Sequence, residues 1–193
     1  MSSVTGVILS GGKSERMGTN KAFLEFEGKR LIDRAMATFR KLFREIIIVT
    51  NSPLDYLDQD CIIASDIIRY KGPMGGIYTG LFWASYDHVF VSACDMPFLN
   101  TSFIEYMIEY RDRYDIVVPG PSGGLQPLHA VYSKRCLPLV KKLMDKGDLK
   151  ITGFYRSLKT FIIKEDAIKR YDPKGEMFLN INTVKDFEHI SSR

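Results

Sequence analysis

The chain has 193 residues, 45% apolar and 26% charged. These are the proportions of a soluble globule able to bury a full core as one domain over 1–193, and no apolar run approaches the ~20 residues of a membrane helix. Lysine and arginine number 27 against 23 aspartates and glutamates, a net +4 that leans toward small anionic ligands and is too weak to imply nucleic acid.

Thr5–Leu9 (TGVIL) is short, β-branched and closed by glycine, the pattern of a buried strand. Leu31–Phe43 spaces Leu31, Ala35, Met36, Phe39, Leu42 and Phe43 as one face of a helix. Ile46–Thr50 (IIIVT) and Cys61–Ala64 (CIIA) read as two more buried strands, and Ile77–Tyr86 as a helix. His88–Ala93 returns to strand, Thr101 is expected to cap a helix over Ser102–Arg113, and Ile116–Pro119 is again strand. A shorter strand at Ala130–Tyr132 precedes a helix over Ser133–Asp145. The remainder predicts a strand at Thr160–Ile163, a short loop, an extended FLNIN segment and a last helix from Thr183. Buried strands alternating with helices predict a single-domain, Rossmann-like three-layer α/β fold with a mainly parallel sheet. Right-handed crossovers would bring the strand C-terminal ends, and hence the ligand site, to one edge. Three widely spaced cysteines, Cys61, Cys94 and Cys136, exclude a disulfide framework and a cysteine-rich zinc site, and they suit a reducing cytosol. The opening Met1-Ser2-Ser3-Val4-Thr5 lacks the basic start of a secretory signal.

The loops at the strand ends therefore carry the chemistry. After the first strand comes LSGGKSERMGTNK, Leu9 to Lys21. Gly11 and Gly12 allow a tight turn with consecutive N–H groups facing an anion, and Lys13, Arg16 and Lys21 add three cations. An ordinary βα connection runs ~2–6 residues, so this long basic loop reads as a polyphosphate cradle. It is not a P-loop, which would need glycine where Val7 stands, nor a dinucleotide G-x-G-x-x-G, which would need glycine in place of Lys13. The third strand runs into Asp66, which alone could merely begin a turn, and then into GPMGGIYTG. There Gly75, Gly76 and Gly80 admit either a close-packed helix or the close approach of a base or sugar, and the second is expected. The fourth strand ends in Cys94-Asp95-Met96-Pro97, an apolar strand aiming one carboxylate at the ligand edge, where it suits a metal. In FLNINT, period-two alternation puts Phe178, Asn180 and Asn182 on one face, with neutral groups suited to phosphate, metal-bound water or a heterocycle; capping of the last helix by Asn182 or Thr183 competes with that role. His88 begins a strand on the wrong edge for chemistry, His129 is expected to be structural and hydrogen-bonded, and Cys94 a packed thiol.

Together these segments resemble the molybdenum cofactor guanylyltransferases, the MobA-like branch of the nucleotidyltransferases. The family's L-A-G-G-x-S-x-R-M-G-x-x-K stands here as LSGGKSERMGTNK, its G-P-L-x-G as GPMGG, its C-D-x-P as Cys94–Pro97 and its N-x-N-T-P as NINTV, with Val184 in place of proline. The first motif is common to many nucleotidyltransferases, and the ordered set is much more specific. The resemblance implies that Leu9, Ser10 and Gly11 meet the guanine nucleotide through backbone groups, alongside Gly12. It implies that the Lys21 and Asp66 side chains bind that nucleotide, that Asp95 holds Mg2+, and that Asn180 and Asn182 lie toward the pterin. Asn51 is a candidate for the family's asparagine after the second strand, with its register open. The implied partners are GTP and molybdopterin, with molybdoenzymes or other cofactor-assembly proteins beyond them, and neither nucleic acid nor membrane.

The implied reaction joins GMP from GTP to the terminal phosphate of molybdopterin and releases pyrophosphate. Arg16, Lys21 and Asp95 are the expected catalytic groups. Two other readings remain. One is a cytidylyl or sugar-1-phosphate transferase using the same loop and Asp95. The other is a non-catalytic nucleotide-binding partner, whose mark would be loss of Asp95 or Lys21; both are present.

Overall fold

A computed structural model describes residues 3–11 and 20–181 of the chain. Nine strands and five helices occur among them: β1 (Thr5–Leu9), β2 (Glu25–Phe26), β3 (Lys29–Arg30), α1 (Leu31–Leu42), β4 (Ile46–Val49), β5 (Ile62–Ala64), α2 (Gly72–Trp83), β6 (His88–Ala93), α3 (Thr101–Ile108), β7 (Ile116–Gly120), β8 (His129–Ser133), α4 (Leu137–Asp145), β9 (Thr160–Lys164) and α5 (Glu165–Lys169). Seven strands form one sheet in the order β5-β4-β1-β6-β8-β7-β9, and β2 and β3 pair apart from it.

Strands β5, β4, β1 and β6 are parallel neighbours, as the continuous apolar runs predict. Successive residues of β1 bury on opposite faces. Ile8 packs with Ile32, Met36 and Phe39 of α1 and with Phe103 of α3, whereas Val7 and Leu9 pack with Ile77 and Leu81 of α2. The sheet is thus covered on both sides, and no helix among the described residues is long and apolar enough to cross a membrane.

Several expectations are corrected. β8 runs antiparallel to both β6 and β7, so its first residue, His129, pairs with Ser92 near the carboxyl end of β6. α2 begins at Gly72, with Pro73 in its first turn, which takes Gly75 and Gly76 inside the helix. α3 is capped by Asn100, whose side chain accepts from the Phe103 amide at 3.0 Å, and it stops at Ile108. The β2–β3 hairpin is an addition to the predicted elements; Glu27 and Gly28 both take positive φ, as a tight two-residue hairpin turn requires. The FLNIN segment is no strand over its described residues: the Leu179 amide closes a turn on Glu176 O, and Asn180 is exposed while Met177 and Ile181 are buried.

Gly76 and Gly80 of α2 are explained by packing. A Cβ on Gly80 would lie 2.6 Å from Val7 Cγ1, and one on Gly76 would lie 2.9 Å from Leu9 Cδ2. Four helical residues rise about 6.0 Å and two strand residues about 6.6 Å, so a glycine every fourth residue seats α2 over alternate residues of β1. The expected approach of a base or sugar at Gly76 and Gly80 is replaced by helix on sheet.

Candidate active site

The carboxyl ends of the parallel strands are stitched together beyond the last ladder bonds. The Ser10 amide donates to Val49 O, Thr50 to Ala64 O, and Cys94 to Leu9 O, at 2.9, 2.9 and 3.0 Å. This fixes Leu9, Ser10 and Gly11 after β1, Asn51 after β4, Asp66 after β5 and Asp95 after β6 along one edge, as the parallel topology predicts. The Ile181 amide donates to Asp95 O at 2.9 Å, which brings the Asn180 segment to the same edge.

Asp95 is the most unusual group there. Its Oδ1 is buried with no hydrogen-bond partner among the described residues. Burial pushes its carboxyl above the usual range, and the Lys21 charge draws it back down. A buried carboxylate oxygen beside a cation is chemically a hard donor. Among the described residues no three His, Cys, Asp or Glu side chains cluster as a metal cage. A single carboxylate suits Mg2+, which is commonly bound by one or two carboxylates together with substrate phosphates and water. The residues present fit such an ion.

Lys21 opens a single helical turn, Lys21–Phe23, that Asn20 caps by accepting from the Ala22 amide at 3.2 Å. Asp66 is held by Asn51, whose Nδ2 donates to Asp66 Oδ2 at 3.2 Å. Burial raises the Asp66 carboxyl above the usual range, and the Asn51 hydrogen bond partly offsets this. A Cβ on Gly75 would stand 3.1 Å from Ile68 O and 3.8 Å from Asp66 Oδ1, so Gly75, unlike Gly76 and Gly80, borders the site. The Ile67 amide donates to Thr79 Oγ1 at 3.0 Å, tying the Asp66 loop to α2.

The remaining candidates divide simply. Gly12, Lys13, Arg16, Asn182, the helix expected from Thr183 and His189 lie outside the described residues. Cys94 is buried and its thiol is pushed up to about 12 by burial, so it is a packed residue and no nucleophile. His129 is fully buried among Phe90, Phe103 and Phe178, with both ring nitrogens unpartnered among the described residues, which corrects the hydrogen-bonded role expected of it. His88 begins β6 on the opposite edge, where it lines a separate cleft of about 310 Å³ with Asp87, Arg111 and Asp112. Tyr56 and Asn20 join the site through hydrogen bonds that no motif signals: Tyr56 comes from an unremarkable turn, Pro53–Tyr56, and only the fold brings it to Ser10.

A helix-covered, mainly parallel sheet carrying a glycine-containing turn, a lysine and carboxylates on one edge has the architecture of an α/β nucleotidyltransferase. Residues 6–161 match the MobA-like NTP transferase domain. A molybdenum cofactor guanylyltransferase of Desulfosudis oleivorans is 40% identical over 190 residues, covering 97% of this chain and 94% of that protein. A probable molybdenum cofactor guanylyltransferase of Natranaerobius thermophilus is 37% identical over 191 residues, covering 96% and 93%. The crystal structure of molybdopterin-guanine dinucleotide biosynthesis protein A from Archaeoglobus fulgidus shares the fold, with a TM-score of 0.84 over 98% of this chain and 99% of that one at 22% identity. The chain belongs to the MobA-like NTP transferase family.

Proposed function

We propose that this chain transfers GMP from GTP to the terminal phosphate of molybdopterin, releasing pyrophosphate. The observation that carries this reading is the meeting, on one sheet edge, of the Ser10–Gly11 backbone, Lys21 and the orphaned Asp95 carboxylate.

In this reading an oxygen of the molybdopterin phosphate forms a bond to the α-phosphorus of GTP. The bond from that phosphorus to the bridging oxygen breaks, and its electron pair leaves with pyrophosphate. A phosphate monoester has a second pKa near ~6, so the attacking group is largely dianionic at neutral pH and needs no general base. The chain must supply charge stabilisation and the alignment of two polyanions. The Gly11 and Gly12 amides and the Lys13, Arg16 and Lys21 side chains cradle the triphosphate. Arg16 suits a two-pronged phosphate contact and Lys21 acts as a point charge. Asp95 would hold Mg2+, which supplies Lewis-acid stabilisation of charge on the phosphate oxygens. Leu9 and Ser10 contribute backbone groups to the nucleotide, and Asp66, oriented by Asn51, accepts hydrogen bonds from it. Asn180, brought to the edge by the Ile181 amide on Asp95 O, and Asn182 would bind the pterin substrate.

The test is pyrophosphate release from purified molybdopterin with each of the four nucleoside triphosphates and Mg2+. Release with GTP alone is the expected outcome. Release with CTP would make the chain a cytidylyltransferase, and release with none would leave a binding protein.

A further inference from the structure

The two described parts of the nucleotide-binding set on the first loop, Ser10–Gly11 and Lys21, are far apart in sequence relative to their closeness in the fold. One hydroxyl connects them. Tyr56 Oη stands 2.5 Å from Ser10 Oγ and accepts from Asn20 Nδ2 at 3.1 Å. Asn20 in turn caps the turn that Lys21 opens, through the Ala22 amide. The tyrosine is fully buried and its ring packs on Phe23, 5.1 Å between centroids, within that same turn. Ser10 is itself held to β4 by its amide on Val49 O. The hydroxyl therefore sits between the residue after β1, itself tied to β4, and the turn that carries Lys21.

A tyrosine that served only to fill the core would need a ring and one satisfied partner. Here Ser10 and Asn20 stand next to Gly11 and Lys21, so the hydroxyl sets the spacing between a backbone anion site and a cation. Holding both in the bound geometry beforehand removes an ordering cost that nucleotide binding would otherwise meet.

We propose that Tyr56 is a positioning residue for the nucleotide: its hydroxyl clamps Ser10 to Asn20 and so presets Gly11 and Lys21 for a triphosphate. The inference rests on the reading of this edge as the GTP site. It adds a residue that touches no substrate and acts through the two ends of the loop.

The experiment compares the full-length chain with Tyr56→Phe, Asn20→Ala, the two combined, and Tyr132→Phe as a control. Tyr132 is another fully buried tyrosine, whose hydroxyl bonds Tyr155 Oη at 2.6 Å and Pro127 O at 2.7 Å, packed with α2 and α4 on the other face of the sheet. Binding of GTP and of GMP is measured by titration calorimetry, together with KM, kcat and melting temperature. Tyr56→Phe is expected to weaken GTP binding about tenfold, the worth of one buried hydrogen bond, and GMP binding by less than about threefold, with kcat at saturating GTP within about twofold. Tyr132→Phe should lower the melting temperature comparably without changing GTP affinity. Asn20→Ala should reproduce the GTP effect, and the combined variant should add little to either, because both cut one bridge. Should Tyr56→Phe fail to fold, Asn20→Ala alone decides by the same GTP-against-GMP comparison. Equal losses of GTP and GMP affinity, or a Tyr56→Phe profile matching Tyr132→Phe, overturn the clamp. A wild-type chain that does not bind GTP overturns the underlying site reading instead.

Discussion

Replacing Gly80 by alanine separates packing from ligand contact, because the two roles move different observables. The substitution gains about 1 kcal/mol of helix propensity. Against that gain, the new Cβ meets Val7 Cγ1 at 2.6 Å and Cγ2 at 3.0 Å. Val7 is fully buried on β1, which is paired on both sides by β4 and β6, so neither the strand nor its stiff β-branched side chain has room to move aside. Overpacking of this kind costs about 1–3 kcal/mol, and the rigidity of the site argues for the upper end. The net loss is then about 2 kcal/mol, which for a chain of this size lowers the melting temperature by about 4–8 °C. Gly76→Ala provides the contrast: its Cβ meets Leu9 Cδ2 at 2.9 Å, the tip of a flexible side chain, so the propensity gain nearly cancels the clash and the melting temperature changes little. Combining Gly80→Ala with Val7→Ala removes the offending methyls and should destabilise by clearly less than the sum of the two single changes. Thermal unfolding by circular dichroism gives the stabilities and initial rates give KM for GTP. A Gly80→Ala protein with wild-type melting temperature and a GTP KM raised tenfold would refute the packing account and return the glycine to the ligand.

Asp95→Asn keeps the side-chain shape and removes the charge; pyrophosphate release should fall by about 10²-fold or more. Its melting temperature should hold or rise, since a buried unpartnered charge is relieved. Near-normal turnover would remove Asp95 from metal binding. Lys21→Ala should weaken GTP more than molybdopterin by calorimetry, and the reverse order would put the nucleotide at the wrong end of the edge. His129 gives a pH signature. Burial holds its imidazole neutral, with a pKa lowered to about 3, against about 6.5 in an unfolded chain. The unfolded chain thus takes up a proton that the folded one refuses, so stability falls as pH drops below about 6.5, by about 2 kcal/mol at pH 5, and continues to fall toward pH 3. In His129→Leu that component disappears, and the difference in melting temperature between pH 7 and pH 5 should shrink by about 4–8 °C. Equal pH dependence in the two proteins would mean that the folded chain accommodates the charged ring.

Strands β1, β4, β6 and β7 are legible in the chain because each is a short β-branched run buried on both faces, and few other structures take such a run. Their parallel stacking comes from the helices between them, and with it the edge on which Ser10, Asp66 and Asp95 must fall. Local sequence carries this much because burial period and loop length are properties of neighbouring residues. The direction of β8 is a different matter: an apolar run pairs equally well either way, and only the chain path from β7 back to β6 decides it. The alternation in Phe178–Asn182 suggests a strand, yet among the described residues no neighbouring strand pairs with it, and a turn forms. Gly76 and Gly80 announce that something comes close without saying what; the four-residue step on α2 matching the two-residue step on β1 is visible only once both elements are in contact. Tyr56 and Asn20 joined the site, and Asn51 proved to hold Asp66, for the same reason: hydrogen bonds between residues 15 to 46 positions apart depend on how the elements pack.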